Sequence, residues 1–154
     1  MTYILFICAG NICRSPMAEA IFAHLAAQAG RAHEFHIESA GTGGWHTGEK
    51  PDVRTIRVLE ERGIAWRSTA RQISRHDFER FHHLVAMDSA NLDDLLNVGA
   101  PPERVSLMLS WNPSSPVTEV PDPYYGSLAD FESVFDLLEP ACRELLARIG
   151  TSTA

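Results

Sequence analysis

Residues 3–16 read YILFICAGNICRSP. The run from Tyr3 to Cys8 is short, apolar and rich in Ile and Phe, the pattern of a strand buried on both faces. Ser15-Pro16 opens a helix, with proline in the first turn, where its missing N–H is not needed. Between them lies a tight loop with a thiol at one end and a guanidinium at the other. A strand that feeds a helix through so short a loop starts a βαβ unit, which implies parallel pairing by right-handed crossovers.

The rest of the chain repeats that alternation. The first helix carries an apolar stripe of Ala18, Ile21, Phe22, Leu25 and Ala29 and ends at Gly30. EFHIESAGT, residues 34–42, predicts a second strand running into a glycine loop. Asp52 is placed to cap a second helix with Val53, Ile56 and Leu59 facing inward and Gly63 closing it. SRHDFERF predicts a short helix, HHLVAM a third strand, NLDDLLNVG a helix capped by Asp88 or Ser89, and VSLML a fourth strand. After a Pro- and Ser-rich loop from Ser110 to Pro123, Ser127 and Asp130 form a capping box for the last helix. That helix buries Phe131, Val134, Phe135, Leu138, Cys142, Leu145 and Ile149, and Pro140 inside it predicts a kink. The expected fold is therefore α/β: one domain over residues 1–154, a doubly wound sheet of four parallel strands in the order 2-1-3-4, with helices on both faces. Ligands in such sheets sit at the carboxyl ends of the strands near the switch in winding direction, which is where the loop after strand one emerges.

Composition narrows the function. Thirteen basic against 20 acidic residues give a formal net charge of −7, which argues against nucleic acid as partner, since binding there needs clustered Lys and Arg. Three cysteines do not make a disulfide framework and fit a reducing compartment. MTYILFICAG has no basic leader and too short an apolar run to span a bilayer, so a cytoplasmic protein with no membrane partner is expected, as a monomer.

The spacing Cys-x5-Arg occurs twice, at Cys8–Arg14 and at Cys142–Arg148, so spacing alone decides nothing. In the second copy, six residues at about 100° each turn the arginine roughly 240° away from the cysteine, and helix amides are already bonded. Cys142 is a core cysteine. In the first copy Gly10 and Asn11 can take left-handed angles, so the loop can fold its N–H groups inward, and the helix begun at Pro16 turns its positive end toward them. Arg14 adds a planar fork suited to phosphate oxygens. Converging amides, helix dipole and cation favour thiolate at Cys8, a nucleophile. A buried strand-end thiol is the bland alternative, and for Ser15 it is a helix cap. GxxxxGK[ST] is absent, so this is not a nucleotide-binding loop.

Attack on phosphorus needs an acid for the leaving oxygen and a base for the water that follows, and one carboxyl can serve as both. VPDPYYG offers Asp122 between two prolines, after strand four and at the same end of the sheet as Cys8. A plain turn is the competing reading, but Tyr124 and Tyr125 beside it are suited to walling a pocket for an aryl group.

With these residues in place, the chain resembles the low-molecular-weight protein tyrosine phosphatases over its whole length. The resemblance rests on Cys8-Ala-Gly-Asn-Ile-Cys-Arg-Ser-Pro16 and Asp122-Pro-Tyr-Tyr-Gly126, with SAGT, ARQ, MDSANLDDL and the final DFE helix between and after them. It implies that Cys8 forms a phosphocysteine, that Arg14 and the amides of Ala9, Gly10, Asn11, Ile12 and Cys13 hold the phosphoryl group, and that Asp122 is acid then base. It further implies that Ser15 bonds the sulfur, Asn11 and Ser39 support the loop, Asp88 orients the arginine, and Trp45, Tyr124 and Tyr125 line the cleft. No metal and no cofactor is implied. Cys13 matches a loop cysteine able to form a reversible disulfide with Cys8. The substrate implied is a tyrosine-phosphorylated protein, a bacterial tyrosine kinase being one such partner. One departure stands out: where many relatives have a histidine two residues before ARQ, bonded to the loop asparagine, this chain has Ser68.

Three rival readings remain to be weighed. An arsenate reductase of this fold needs further cysteines after strand three, and LVAMDSANLDD has none. Protein-arginine phosphatases of the same family carry threonine before the second loop cysteine, where Ile12 stands here, and an apolar side chain suits an aryl ester better than a guanidinium. A non-catalytic phosphate-binding module would have little reason to keep both Cys8 and Asp122.

Overall fold

The first strand is buried on both faces because its odd and even residues face different helices. A computed structural model describes residues 1–149. In β1 (Thr2–Cys8), Ile4, Phe6 and Cys8 join one apolar core while Leu5 and Ile7 join a second on the opposite face. The other elements follow in the order α1 (Arg14–Gln28), β2 (Phe35–Gly41), α2 (Val53–Glu61), α3 (Arg75–Arg80), β3 (His83–Ala86), α4 (Ser89–Asn97), β4 (Val105–Leu107) and α5 (Leu128–Arg148). All strand pairs are parallel and the order is β2-β1-β3-β4, as expected. Helices α1, α2 and α5 cover the Phe6 face; Phe78 of α3 and Leu95 of α4 close the Leu5 face. Full burial of each such Leu, Ile or Phe contributes roughly 1.5–3 kcal/mol. Helix α5 runs on through Pro140.

Register places the chemistry. Cys8 pairs with Gly41 and Ile7 with Ala86, so β1, β2 and β3 end at one level and their loops open on one side of the sheet.

Four local expectations need correction. Val53 is 81% exposed and Ile56 only half-buried; the inward stripe of α2 is Thr55, Val58 and Leu59. The helix is rotated because the Thr55 hydroxyl is drawn under the first loop, donating to the Cys13 carbonyl at 3.3 Å. In α1, Ala29 is exposed and Ala26 takes its place, while the first turns are buried almost all round. The fourth strand stops at Leu107, after which Met108–Trp111 form a turn of 3-10 helix. Gly10 does not adopt a left-handed backbone; in the loop only Asn11 does, at φ 60°. A Cβ at Gly10 would lie 2.8 Å from the His46 ring, so the glycine makes room rather than a turn.

Candidate active site

The loop from Ala9 to Cys13 is held from outside by its carbonyl groups. Thr42 N–H donates to the Cys8 carbonyl at 2.9 Å, Gly43 N–H to Ala9 at 3.0 Å, and Asp52 N–H to Ile12 at 2.8 Å. Its own N–H groups donate to no protein acceptor among the described residues. With carbonyls turned out, the amides and the start of α1 present positive dipoles to the cleft. The approach of the second loop is close: a Cβ at Gly41 would lie 2.7 Å from the Ala9 carbonyl oxygen.

Beneath the loop stands a pillar of side chains. Asn11 Oδ1 accepts the Arg71 backbone N–H at 3.0 Å, and its Nδ2 donates to Ser15 Oγ at 2.8 Å and Ser39 Oγ at 2.9 Å. These bonds offset the cost of a left-handed asparagine. Ser15 Oγ lies 3.0 Å from Cys8 Sγ, and since it already accepts from Asn11 its proton is free to point at the sulfur. Ser39 passes the line on to Glu19, 2.5 Å away. Ser68 takes no part; the Arg71 amide occupies the asparagine oxygen instead. Arg71 is itself clamped by a bidentate pair with Asp77 and by Glu38.

Arg14 is buried, and its guanidinium is fixed by two acceptors. Nη1 donates to Asp88 Oδ2 at 2.6 Å and to the Val120 carbonyl at 2.9 Å. The other Asp88 oxygen caps α4 through Asn91 N–H at 2.8 Å, so one carboxylate sets both a helix start and the arginine. Arg14 Nη2 lies 3.8 Å from Asp122 Oδ2. Asp122 is 52% exposed at the side chain, and its Oδ1 accepts the Tyr124 N–H at 3.1 Å, a turn that aims the remaining oxygen at the cleft.

A cavity of about 320 Å³ joins these groups: Cys8, Cys13, Arg14 and Asp122 share its wall with Trp45, Tyr124 and Tyr125. Trp45 is 72% and Tyr125 97% exposed, leaving two large rings in water at the rim. Ile12 supplies apolar wall. All three cysteines are free thiols. Burial, and then the negative charges of Asp52, Cys8 and Asp122, push the Cys13 thiol far up, so it stays protonated beside Cys8. Among the described residues no three His, Cys, Asp or Glu side chains gather as a metal site.

Thus every side chain expected at the site reaches it or supports it. Four contributors were missed. His46 lines the cavity and packs against Tyr124. Arg54 bonds the carbonyls of Tyr124 and Gly126, lies 4.2 Å over the Phe131 ring, and pairs with Asp52, whose carboxyl it holds below the usual range. Arg71 and Glu19 complete the pillar. Apart from Asp52, two residues before Arg54, their partners are backbone groups or side chains distant in sequence, and no local spacing announces their place at the site.

Residues 3–154 match the family described as low molecular weight phosphotyrosine protein phosphatase. The chain belongs to that family. Among similar members, the low molecular weight phosphotyrosine protein phosphatase of Schizosaccharomyces pombe is 45% identical over 150 residues, covering 96% of both chains. The crystal structure of a protein tyrosine phosphatase from Entamoeba histolytica superposes with a TM-score of 0.92 at 36% identity, covering 96% of each chain. An arginine phosphatase from Drosophila has the same fold at 30% identity, with a TM-score of 0.88 and 96% coverage of each chain. Both structures thus superpose on this member of the phosphatase family over nearly its whole length. Among the described residues no helix is long and apolar enough to cross a membrane.

Proposed function

We propose that this member of the family hydrolyses phosphotyrosine in proteins, in the cytoplasm, through a phosphocysteine on Cys8. The observation that carries the assignment is the convergence of Cys8, Arg14 and Asp122 on one cavity walled by Trp45, Tyr124 and Tyr125. The phosphoryl oxygens sit on the loop amides and the Arg14 fork, where charge developing in the transition state meets donors already oriented. Cys8 Sγ attacks phosphorus as the bond to the tyrosine oxygen breaks; Asp122 gives its proton to that oxygen, and the phenol leaves. Asp122, now a carboxylate, takes a proton from water as the water oxygen attacks phosphorus. The S–P bond breaks, the thiolate leaves toward the Ser15 hydroxyl, and inorganic phosphate is released. Ile12 on the cavity wall favours an aryl ester over a charged guanidinium.

The test is hydrolysis of p-nitrophenyl phosphate with EDTA and a thiol reductant, comparing wild type with Cys8→Ser, followed by phosphotyrosine and phosphoarginine peptides. Metal-free turnover that vanishes in the variant, with preference for phosphotyrosine, supports the assignment. Turnover surviving in Cys8→Ser would overturn the mechanism, and preference for phosphoarginine would overturn the substrate.

A further inference from the structure

The pillar under the loop ends on a group that the steps above leave idle. Glu19 stands on α1 one turn after Ser15, 7% exposed, with Oε1 2.5 Å from Ser39 Oγ. We propose that Glu19 is a positioning residue for the phosphatase reaction: its carboxylate, through Ser39 and Asn11, keeps the Ser15 hydroxyl directed at the Cys8 sulfur. The proposal rests on Cys8 being the nucleophile.

Counting donors and acceptors along the line gives it one direction. The Arg71 N–H on Asn11 Oδ1 fixes which way the amide faces, and both Nδ2 protons are then spent on Ser15 and Ser39. Each hydroxyl receives one bond and has one proton to give. Ser39 gives its proton to Glu19. Ser15 has Cys8 Sγ at 3.0 Å, and the other acceptor in reach, the Ala40 carbonyl, is longer at 3.5 Å. A carboxylate can only accept, so an ionised Glu19 locks the far end. A carboxylic acid can donate back into Ser39, which sets two protons against each other and weakens the Ser39 bond that helps the Arg71 N–H hold the Asn11 amide.

Burial pushes the Glu19 carboxyl up to about 7, with the charge of Glu38 adding to the rise and Ser39, Trp66 and Arg71 opposing it. The two states of the line therefore exchange near neutral pH. The Ser15 proton matters most when sulfur leaves as thiolate, so the effect belongs to phosphocysteine breakdown rather than to substrate binding.

The experiment is pre-steady-state hydrolysis of p-nitrophenyl phosphate, resolving the burst from the breakdown step, in wild type, Glu19→Gln, Ser15→Ala and the double variant. Glu19→Gln should slow breakdown about tenfold while KM rises by no more than about twofold, as one charge-assisted hydrogen bond becomes a weaker neutral one whose direction is no longer enforced. The double variant should be no slower than Ser15→Ala alone, because both act in one line. Wild-type breakdown should accelerate through a titration near pH 7 that Glu19→Gln lacks. Additive losses, or coincident pH profiles for wild type and Glu19→Gln, would overturn the proposal while leaving Cys8 in place. Turnover in Cys8→Ser would overturn the nucleophile instead. Should Glu19→Gln not fold, Ser39→Ala cuts the same line and carries the same test.

Discussion

Cys8–Arg14 and Cys142–Arg148 have the same spacing, and both thiols are buried. The first pair brackets a loop whose amides have no protein acceptor among the described residues and whose arginine is gripped by Asp88 and Val120. The second lies within the unbroken helix α5: Cys142 Sγ faces the Ala18 carbonyl at 3.8 Å, burial pushes its thiol far up, and the part-exposed Arg148 pairs with Glu144 one turn before it. Burial does not distinguish a reactive cysteine from an inert one here. What differs is where the neighbouring backbone donors are spent.

Substitutions in matched pairs probe that contrast. The largest effect should come from Cys8→Ser, with kcat for p-nitrophenyl phosphate down by about 10⁴-fold or more. Cys142→Ala should keep kcat and lose about 1–2 kcal/mol in denaturant unfolding, as a small cavity in a core does. Activity lost in Cys142→Ala with the fold intact would break the contrast.

Next come the arginines. Arg14→Lys replaces a planar fork by a point charge and should cost roughly 10²–10³-fold in kcat/KM. Arg148→Lys should change neither activity nor stability beyond about 0.5 kcal/mol.

Asn11→Ala removes three hydrogen bonds and leaves an alanine at φ 60°, where a Cβ is strained. It should cost about 2–4 kcal/mol in urea unfolding together with most of the turnover. A variant as stable as wild type would show that the loop needs no pillar.

The smallest effect concerns pH. Folding raises the Glu19 carboxyl from 4.5 to about 7, so the folded state holds a proton that the unfolded state has released. Below about pH 4.5 both states are protonated and Glu19 contributes nothing; as pH rises toward 7 stability falls, by at most about 3 kcal/mol. Thermal unfolding between pH 5 and 8 should show that decline in wild type and a shallower one in Glu19→Gln. Identical slopes would show that Glu19 ionises equally readily in both states.

The loop and the place of Asp122 beside it were legible in sequence because each is local: strand, glycine, asparagine, arginine and serine follow one another, and Asp122 is framed by its own prolines. Sheet order followed from the alternation of strands and helices. The phase of α2 was not legible, since Val53, Ile56 and Leu59 made an apolar stripe that leaves out the polar Thr55; the phase is set by the Cys13 carbonyl, 42 residues away. Arg54 and Arg71 were hidden for a similar reason. Arg54 reaches carbonyls 70 and 72 residues on, and Arg71 serves through a backbone amide, which any residue but proline would supply. Ser68, the one visible departure, drew attention to a gap that the Arg71 amide fills.

Arg54 ties the segment that carries Asp122 to the first turn of α2, and the same turn, through Asp52 N–H, holds the loop that follows Cys8. Cys8 and Asp122, the proposed nucleophile and acid, thus share an anchor, so a displacement of α2 would carry both along. Reactivity depends on their separation, not on where either lies in the molecule. A common mount keeps that separation steadier than either position, so the proposed reaction draws its alignment from the first turn of α2 as much as from the loop itself.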